Sequence, residues 1–216
     1  LAKRQSNIPD IVLDDSGVHR IKTHHRYIKL KDYSRETVEK IIDELRNEGA
    51  TVMVVSEVFG VDNNQIEQEV KAIAKEKGIE VSAASDISKM YGLTRRTRTA
   101  TINASILPKM FETADSTEKS VKDAGINVPL MIMRGDGGVM DIDEMRKRPV
   151  LTMLSGPAAS TTGALMYLKA SNAIFFEVGG TSTDIGVIKN GRPMVDYAVV
   201  GGQKTLISSL DVHVSG

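Results

Sequence analysis

Apolar residues recur along this chain with two periods, one helical and one strand-like, and the two alternate in blocks. From Ser34, a residue suited to capping a helix, Val38, Ile41, Ile42 and Leu45 fall on one helical face before Gly49 stops the run. Thr51-Val52-Met53-Val54-Val55 is then a continuous apolar stretch of buried-strand length. Asp62 opens a second amphipathic helix through Ile66, Val70, Ile73 and Ala74; Gly78 ends it, and Ile79 to Ala83 gives another strand. Strand, helix and strand in this order predict a right-handed crossover and a partly parallel sheet covered by helices. Ahead of them, Pro9, Asp14-Asp15 and Ser16-Gly17 interrupt the short runs Ile11-Val12-Leu13 and Tyr27-Ile28-Lys29-Leu30, which predicts short strands and turns.

Asp86 is placed to cap the next segment, a long helical pattern through Ile102, Ile106, Met110 and Val121 that Pro108 should kink or divide. Val128 to Met133 reads as a strand entering the loop Arg134-Gly135-Asp136-Gly137-Gly138, and a short helix from Asp141 to Arg148 stops at Pro149. That helix reads as a connector, so residues 1–148 are expected to form part of a first α/β lobe and 149–216 the start of a second. Pro157 suits the first turn of a small-residue helix running to Lys169. Ala173 to Val178, Ile185 to Ile188 and Arg192 to Val195, the last two joined by Asn190-Gly191, predict a three-stranded meander.

With 216 residues, 41% of them hydrophobic, the chain can bury a core of one large or two small domains. Its 28 basic and 28 acidic residues cancel, which leaves no electrostatic footprint for nucleic acid or an anionic membrane. There is no cysteine, so disulfides and thiolate metal sites are excluded and a cytoplasmic setting is expected. The chain opens at Leu1 and stops at Gly216 just after a strand-like run, and is read as a fragment.

The chemistry concentrates in Glu177-Val178-Gly179-Gly180-Thr181-Ser182-Thr183-Asp184, between two strands. Gly179 and Gly180 permit positive φ and expose backbone N–H groups, Thr181, Ser182 and Thr183 add hydroxyl donors for phosphate oxygens, and Asp184 could hold Mg²⁺ through water. An ordinary glycine-rich hairpin with polar turn residues fits the spacing equally well.

Four segments occur together and in order: Arg96-Thr97-Arg98-Thr99 leading to Asn103-Ala104, Gly137-Gly138, Leu154-Ser155-Gly156-Pro157-Ala158-Ala159, and Gly179 to Asp184. With them the chain resembles the family of hydantoinase A subunits, ATP-dependent oxoprolinases and acetone carboxylase beta subunits, and Leu210 to Gly216 resembles that family's Asp-Ile-His segment. The resemblance implies a ribonuclease-H-like, actin-like ATPase architecture (the sugar kinase, heat-shock and actin type), with two lobes clasping Mg-ATP. It implies a cofactor pair of ATP and Mg²⁺ or another divalent cation, a cyclic amide or imide substrate, and a possible second subunit of the hydantoinase B type in a homo- or hetero-oligomer. Under it Gly156, Gly179, Gly180, Thr181, Ser182 and Thr183 bind nucleotide, Asp184 is catalytic, Asp184 and Asp211 hold metal, and Arg96, Gly137, Gly138 and His213 face substrate. A ketone carboxylase subunit and a non-enzymatic actin-like ATP switch are the alternatives. Glu177 stands where the family usually has Asp, and Arg134-Gly135-Asp136 replaces its more usual neutral residues.

Three further signals carry less. His24-His25 would point to opposite faces of a strand and lacks a third ligand nearby. Arg95, Arg96 and Arg98 suit an anion, though a solvated helix start is the plainer reading. Asn103-Ala104-Ser105 fits a glycosylation acceptor inside a predicted helix and is taken as chance.

Overall fold

The computed structural model describes residues 7–13 and 16–215; the expected turn at Asp14-Asp15 and the termini Leu1 and Gly216 lie outside them. The chain divides into two compact units, Leu1–Pro108 with Val199–Leu206, and Lys109–Ala198 with Ile207–Gly216.

In the first unit, β1 (Ile11–Val12) pairs antiparallel with β2 (Arg20–Ile21). Tyr27 to Leu30 is not the expected strand: among the described residues no partner strand reaches it, Arg26 is drawn onto Glu44 and Glu48, and the segment ends in a 3-10 turn at Leu30–Asp32. Helix α1 (Arg35–Asn47) starts as expected, the Ser34 hydroxyl accepting from the Thr37 amide at 3.1 Å. β3 (Val52–Val55) follows, then α2 (Gln65–Glu76) and β4 (Glu80–Ala83) parallel to β3 with Val52 opposite Glu80. Helix α2 begins at Gln65 rather than Asp62, because the Asn63 side chain accepts from the Gln65 amide at 3.0 Å. The apolar faces of α1 and α2 meet: Val38, Ile42, Ile73, Ala74 and Ile79 are buried together, with Met53, Val70 and Val81 against them.

A buried carboxylate organises the ends of the parallel strands. Glu67 is fully buried and accepts from the amides of Glu57, just past β3, at 2.7 Å and of Ser85, just past β4, at 2.8 Å. Gly60 is needed there, since a Cβ would lie 2.5 Å from Glu67 Oε1. Asp86 does not cap the long helix; it sits inside the single turn α3 (Ala84–Ile87) and accepts from Gln68 and Lys71. Helix α4 (Leu93–Asp123) runs through Pro108 as one assigned helix, and the division between units falls directly after that proline.

The second unit opens with the hairpin of β5 (Met131–Met133) and β6 (Val139–Asp141). β5 is shorter than expected because Val128 stays in solvent. Asp141 caps α5 (Ile142–Lys147) through the Glu144 amide at 2.7 Å, a 3-10 turn covers Pro149–Thr152, and α6 (Ser155–Leu168) follows. The principal sheet has β12 (Val212–Ser215), β8 (Thr183–Lys189) and β7 (Ala173–Val178) in that order, with β9 (Arg192–Pro193) also on β8. The expected meander is therefore modified: β12 takes most of the β8 edge, and β9 keeps only Ile188 and Lys189. Asn190 and Gly191, with φ of 53° and 70°, make the primed turn that such a hairpin requires. β10 (Val195–Val200) pairs with β11 (Gln203–Leu210), and the tip of that pair belongs to the first unit. There Leu206 donates its amide to Thr99 Oγ1 at 2.9 Å and Arg95 donates to the Thr205 carbonyl at 2.7 Å.

Two outcomes follow. Glu67→Ala leaves two buried amides unpaired, and urea unfolding should report a loss of roughly 3 kcal/mol. The Tyr33 hydroxyl donates to Glu69 at 2.8 Å; burial first, and then that bond, push the phenol up to about 12. The folded chain thus keeps a proton that the unfolded chain loses near pH 10, so this contribution to stability is whole below about pH 10 and gone once the pH passes through 12. Tyr33→Phe should remove that alkaline component from the urea midpoint measured against pH.

Candidate functional site

The glycine-rich turn lies where β7 passes into β8. Glu177 pairs with Asp184 and Val178 with Thr183, and the Gly179 amide donates to the Ser182 carbonyl at 2.9 Å. Gly180 and Thr181 form the exposed tip. Neither Gly179 nor Gly180 has the positive φ expected for them. What glycine supplies at 179 is room, since a Cβ would stand 3.2 Å from the Ser182 carbonyl, while Gly180 opens onto free space. Because the tip is not a primed turn, the amides of Gly180 and Thr181 are not folded back onto the hairpin, and among the described residues they find no partner.

Alternation then sorts the side chains. Glu177 and Asp184 share one face of the sheet with Phe175 and Gly186, and Thr183 lies on the other. Two carboxylates directly opposite each other are unfavourable without a cation or proton between them. The Glu177 Oε2 atom is buried and hydrogen-bonded to nothing among the described residues. This all-oxygen donor pair suits a hard divalent cation.

Helix α6 packs against β7, β8 and β9. Residues 169–172 connect it to β7, and the Met153 carbonyl just ahead of it lies against Gly135, which accepts from Leu210 at the end of the sheet away from the β7–β8 tip. Gly156 is exposed, in the first turn of α6, with nothing near its Cα. The preceding Leu154 has φ 58°, and Pro157 offers no amide. A left-handed leucine costs roughly 1–2 kcal/mol, strain of the kind that collects at functional turns. The first-turn amides and the positive end of the helix dipole make this terminus suitable for an anion.

Other expected residues go elsewhere. Asp211 stands just ahead of β12, three residues before Val214, the partner of Asp184, and so about 10 Å from it along the chain, and the register does not assemble the expected metal pair. His213 pairs with Ile185 and so lies on the face opposite Asp184. No cluster of three His, Asp or Glu side chains suited to a metal occurs among the described residues. Arg96 is fully buried in the first unit, and its terminal nitrogens donate to the carbonyls of Met90, Glu57 and Val58, so it grips the loop that Glu67 holds from the other side. Gly137 and Gly138 belong to a tightly bonded loop. Asp136 accepts from the Gly138 amide at 3.0 Å and pairs with Arg134, Gly135 donates to Leu151 and accepts from Leu210, and a Cβ at 135 would meet the Met153 carbonyl at 1.8 Å. The Arg-Gly-Asp tripeptide is thus closed on itself. His24 turns to Glu48, His25 Nε2 accepts from the Ile8 amide, and Asn103 is buried against Ser82. The facing of Glu177 and Asp184 was not drawn from the sequence, although a two-residue tip between 179 and 182 would have given that register.

The hydantoinase/oxoprolinase family model matches residues 96–215, and that of the hydantoinase/oxoprolinase N-terminal region matches residues 7–78. The uncharacterized protein MJ0964 of Methanocaldococcus jannaschii is 28% identical over 175 residues, 78% of this chain and 26% of that protein. The 5-oxoprolinase of Saccharomyces cerevisiae is 28% identical over 194 residues, covering 87% of this chain and 15% of its own length. Among solved structures, nucleotide-free acetone carboxylase has a TM-score of 0.72 at 22% identity, covering 84% of this chain and 27% of that one. The ATP-dependent caprolactamase of Pseudomonas jessenii has a TM-score of 0.71 at 23% identity, covering 88% and 29%. These structural likenesses are of fold, and they bear out the mixed α/β, actin-like class. The chain spans under a third of the length of each of these proteins.

The register of the site can be probed at Gly186, where an added Cβ would fall 1.9 Å from the Phe175 ring. Gly186→Ala should cost about 1–3 kcal/mol in thermal unfolding, and Phe175→Leu in the same chain should recover part of that loss.

Proposed function

The chain belongs to the hydantoinase/oxoprolinase family, and on that premise we propose that it is part of an ATP-dependent enzyme that opens a cyclic amide or imide. The observation that carries this reading is the pairing, at one hairpin end, of the free tip amides of Gly180 and Thr181 with the facing carboxylates of Glu177 and Asp184. Nucleotide when bound would supply the phosphoryl group that activates the amide oxygen toward water, with a divalent cation offsetting its charge.

This chain's own contribution is positioning. The tip amides and the Thr181 and Ser182 hydroxyls would hold phosphate oxygens. Glu177 and Asp184 would hold the cation, which resolves their mutual repulsion, and Asp184 would orient the attacking water. Glu177 stands opposite Asp184 on the same face of the sheet, so it joins the cation site in this reading. The lobe boundary at 148/149, a second subunit and a cytoplasmic setting belong to the same proposal; no described helix is long and apolar enough to cross a membrane. The likeness to acetone carboxylase favours a ketone carboxylase as the second reading.

With the longest protein encoded by the reading frame around residues 1–216, ATP turnover should rise at least about tenfold on adding 5-oxoproline, a hydantoin or a lactam. Asp184→Asn should lower kcat by about 10²-fold or more. Turnover that responds to ketone and labelled bicarbonate instead would establish the carboxylase reading. ATP turnover indifferent to every substrate would overturn both.

A further inference from the structure

The carboxyl ends of the parallel strands β3 and β4, both in the first unit, open into the segments 56–64 and 84–92, and four large apolar side chains stand out from these. Phe59 and Tyr91 are 63% and 66% exposed, Val58 and Met90 48% and 45%. The exposure is not that of slack chain. Arg96 holds the carbonyls of Glu57, Val58 and Met90, Glu67 holds the amides of Glu57 and Ser85, and the Tyr91 hydroxyl crosses to Asp62. Open α/β sheets take small ligands at the carboxyl ends of their strands, and a ligand site needs fixed loops of this kind.

The polar residues there narrow the ligand. Lys89, which is exposed, is the only cation in the two segments. Asp62 accepts from Tyr91, Asp86 accepts from Gln68 and Lys71, and Arg96 is buried on main-chain carbonyls. Glu57 remains: it is half-buried, two residues from Phe59, and no donor reaches its carboxyl among the described residues. Burial first, and then the neighbouring Glu67, push that carboxyl above the usual carboxylate range, toward the protonated form. A protonated carboxyl presents an O–H donor and a C=O acceptor side by side. A cyclic amide presents the complement, because its ring holds N–H and C=O on one edge, whereas an open-chain secondary amide is trans and puts them on opposite sides.

We propose that Glu57, Phe59 and Tyr91 form a recognition site for an uncharged cyclic amide or imide, the carboxyl pairing with the N–H and C=O edge and the aromatic side chains covering the apolar ring carbons. The inference rests on the ring-opening reading above and narrows its substrate. Phe59 and Tyr91 offer flat apolar faces suited to a small ring, and Glu57 supplies the orientation that an apolar surface alone cannot. With Glu57 and Glu67 close by, a ligand that carries its own carboxylate is disfavoured, so hydantoins and simple lactams are preferred to 5-oxoproline. Ring opening would convert the paired edge into a carboxylate and an amine. The product then loses both hydrogen bonds and brings a negative charge beside Glu57, which favours its release.

Titration of δ-valerolactam into the longest protein of the reading frame, followed by ligand-observed NMR with and without a non-hydrolysable ATP analogue, tests the site apart from turnover. N-methyl-δ-valerolactam, which lacks the N–H, open-chain N-methylacetamide and anionic 5-oxoproline should each bind at least about tenfold more weakly than δ-valerolactam. Glu57→Leu should weaken δ-valerolactam by about tenfold or more, whereas Glu57→Gln, whose amide keeps a donor and an acceptor side by side, should stay within about threefold. Phe59→Ala should weaken it about fivefold. δ-Valerolactam binding that is indifferent to Glu57→Leu, or matched by the N-methyl compound, overturns this inference and leaves the ring-opening reading standing. A preference for 5-oxoproline does the same. Lactam binding absent in both nucleotide states also overturns it, and ATP turnover that still rises with a cyclic amide would then keep the ring-opening reading alone. If Glu57→Leu does not fold, the four ligands on the unsubstituted protein and the response to Glu57→Gln decide the matter.

Discussion

The pairing of β7 with β8 is held in place where the Phe175 ring lies against the bare Cα of Gly186, leaving no space for a side chain at that residue. A slip of one residue would exchange the two faces of β7 relative to β8. Glu177 would then no longer stand opposite Asp184, and the apolar row from Ile174 to Val178 would turn toward α6. The position of the glycine-rich tip, the facing carboxylates and the exposed apolar row of β7 all follow from this one register.

The second unit surrounds that sheet with rigid, backbone-bonded supports. Gly135 donates to Leu151, accepts from Leu210 and lies too near Met153 to carry any side chain, which ties the 134–138 loop both to the turn before α6 and to the strand before β12. The start of α6 is consequently fixed by covalent and hydrogen-bonded neighbours on both sides, and it keeps a left-handed Leu154 that an unconstrained chain would release.

In the first unit the same logic appears with side chains as the supports. Glu67 holds the amide of Glu57 while Arg96 takes its carbonyl, so the backbone of one residue beyond β3 is clamped from both sides by fully buried charged side chains. Charges so placed would be costly without partners, and here each satisfies main-chain groups that would otherwise be buried unpaired. The anion-site reading of the arginine-rich helix start thus gives way, at Arg96, to a structural role.

The sequence by itself determined the elements whose causes are local. Apolar periodicity marked α1, α2, β3 and β4, Ser34 and Asp141 marked helix starts, and Asn190-Gly191 marked a primed turn, since each signal lies within a few residues of what it shapes. The glycine-rich segment was likewise legible as a turn between two strands. Tertiary structure decided the rest: which face Asp184 occupies, that Asp211 and His213 do not join it, that β12 enters beside β8 in place of most of β9, and that Arg96 is interior. Those outcomes depend on strand register and on burial against residues far away in the chain, and the energies that settle them arise only when the distant segments are in contact.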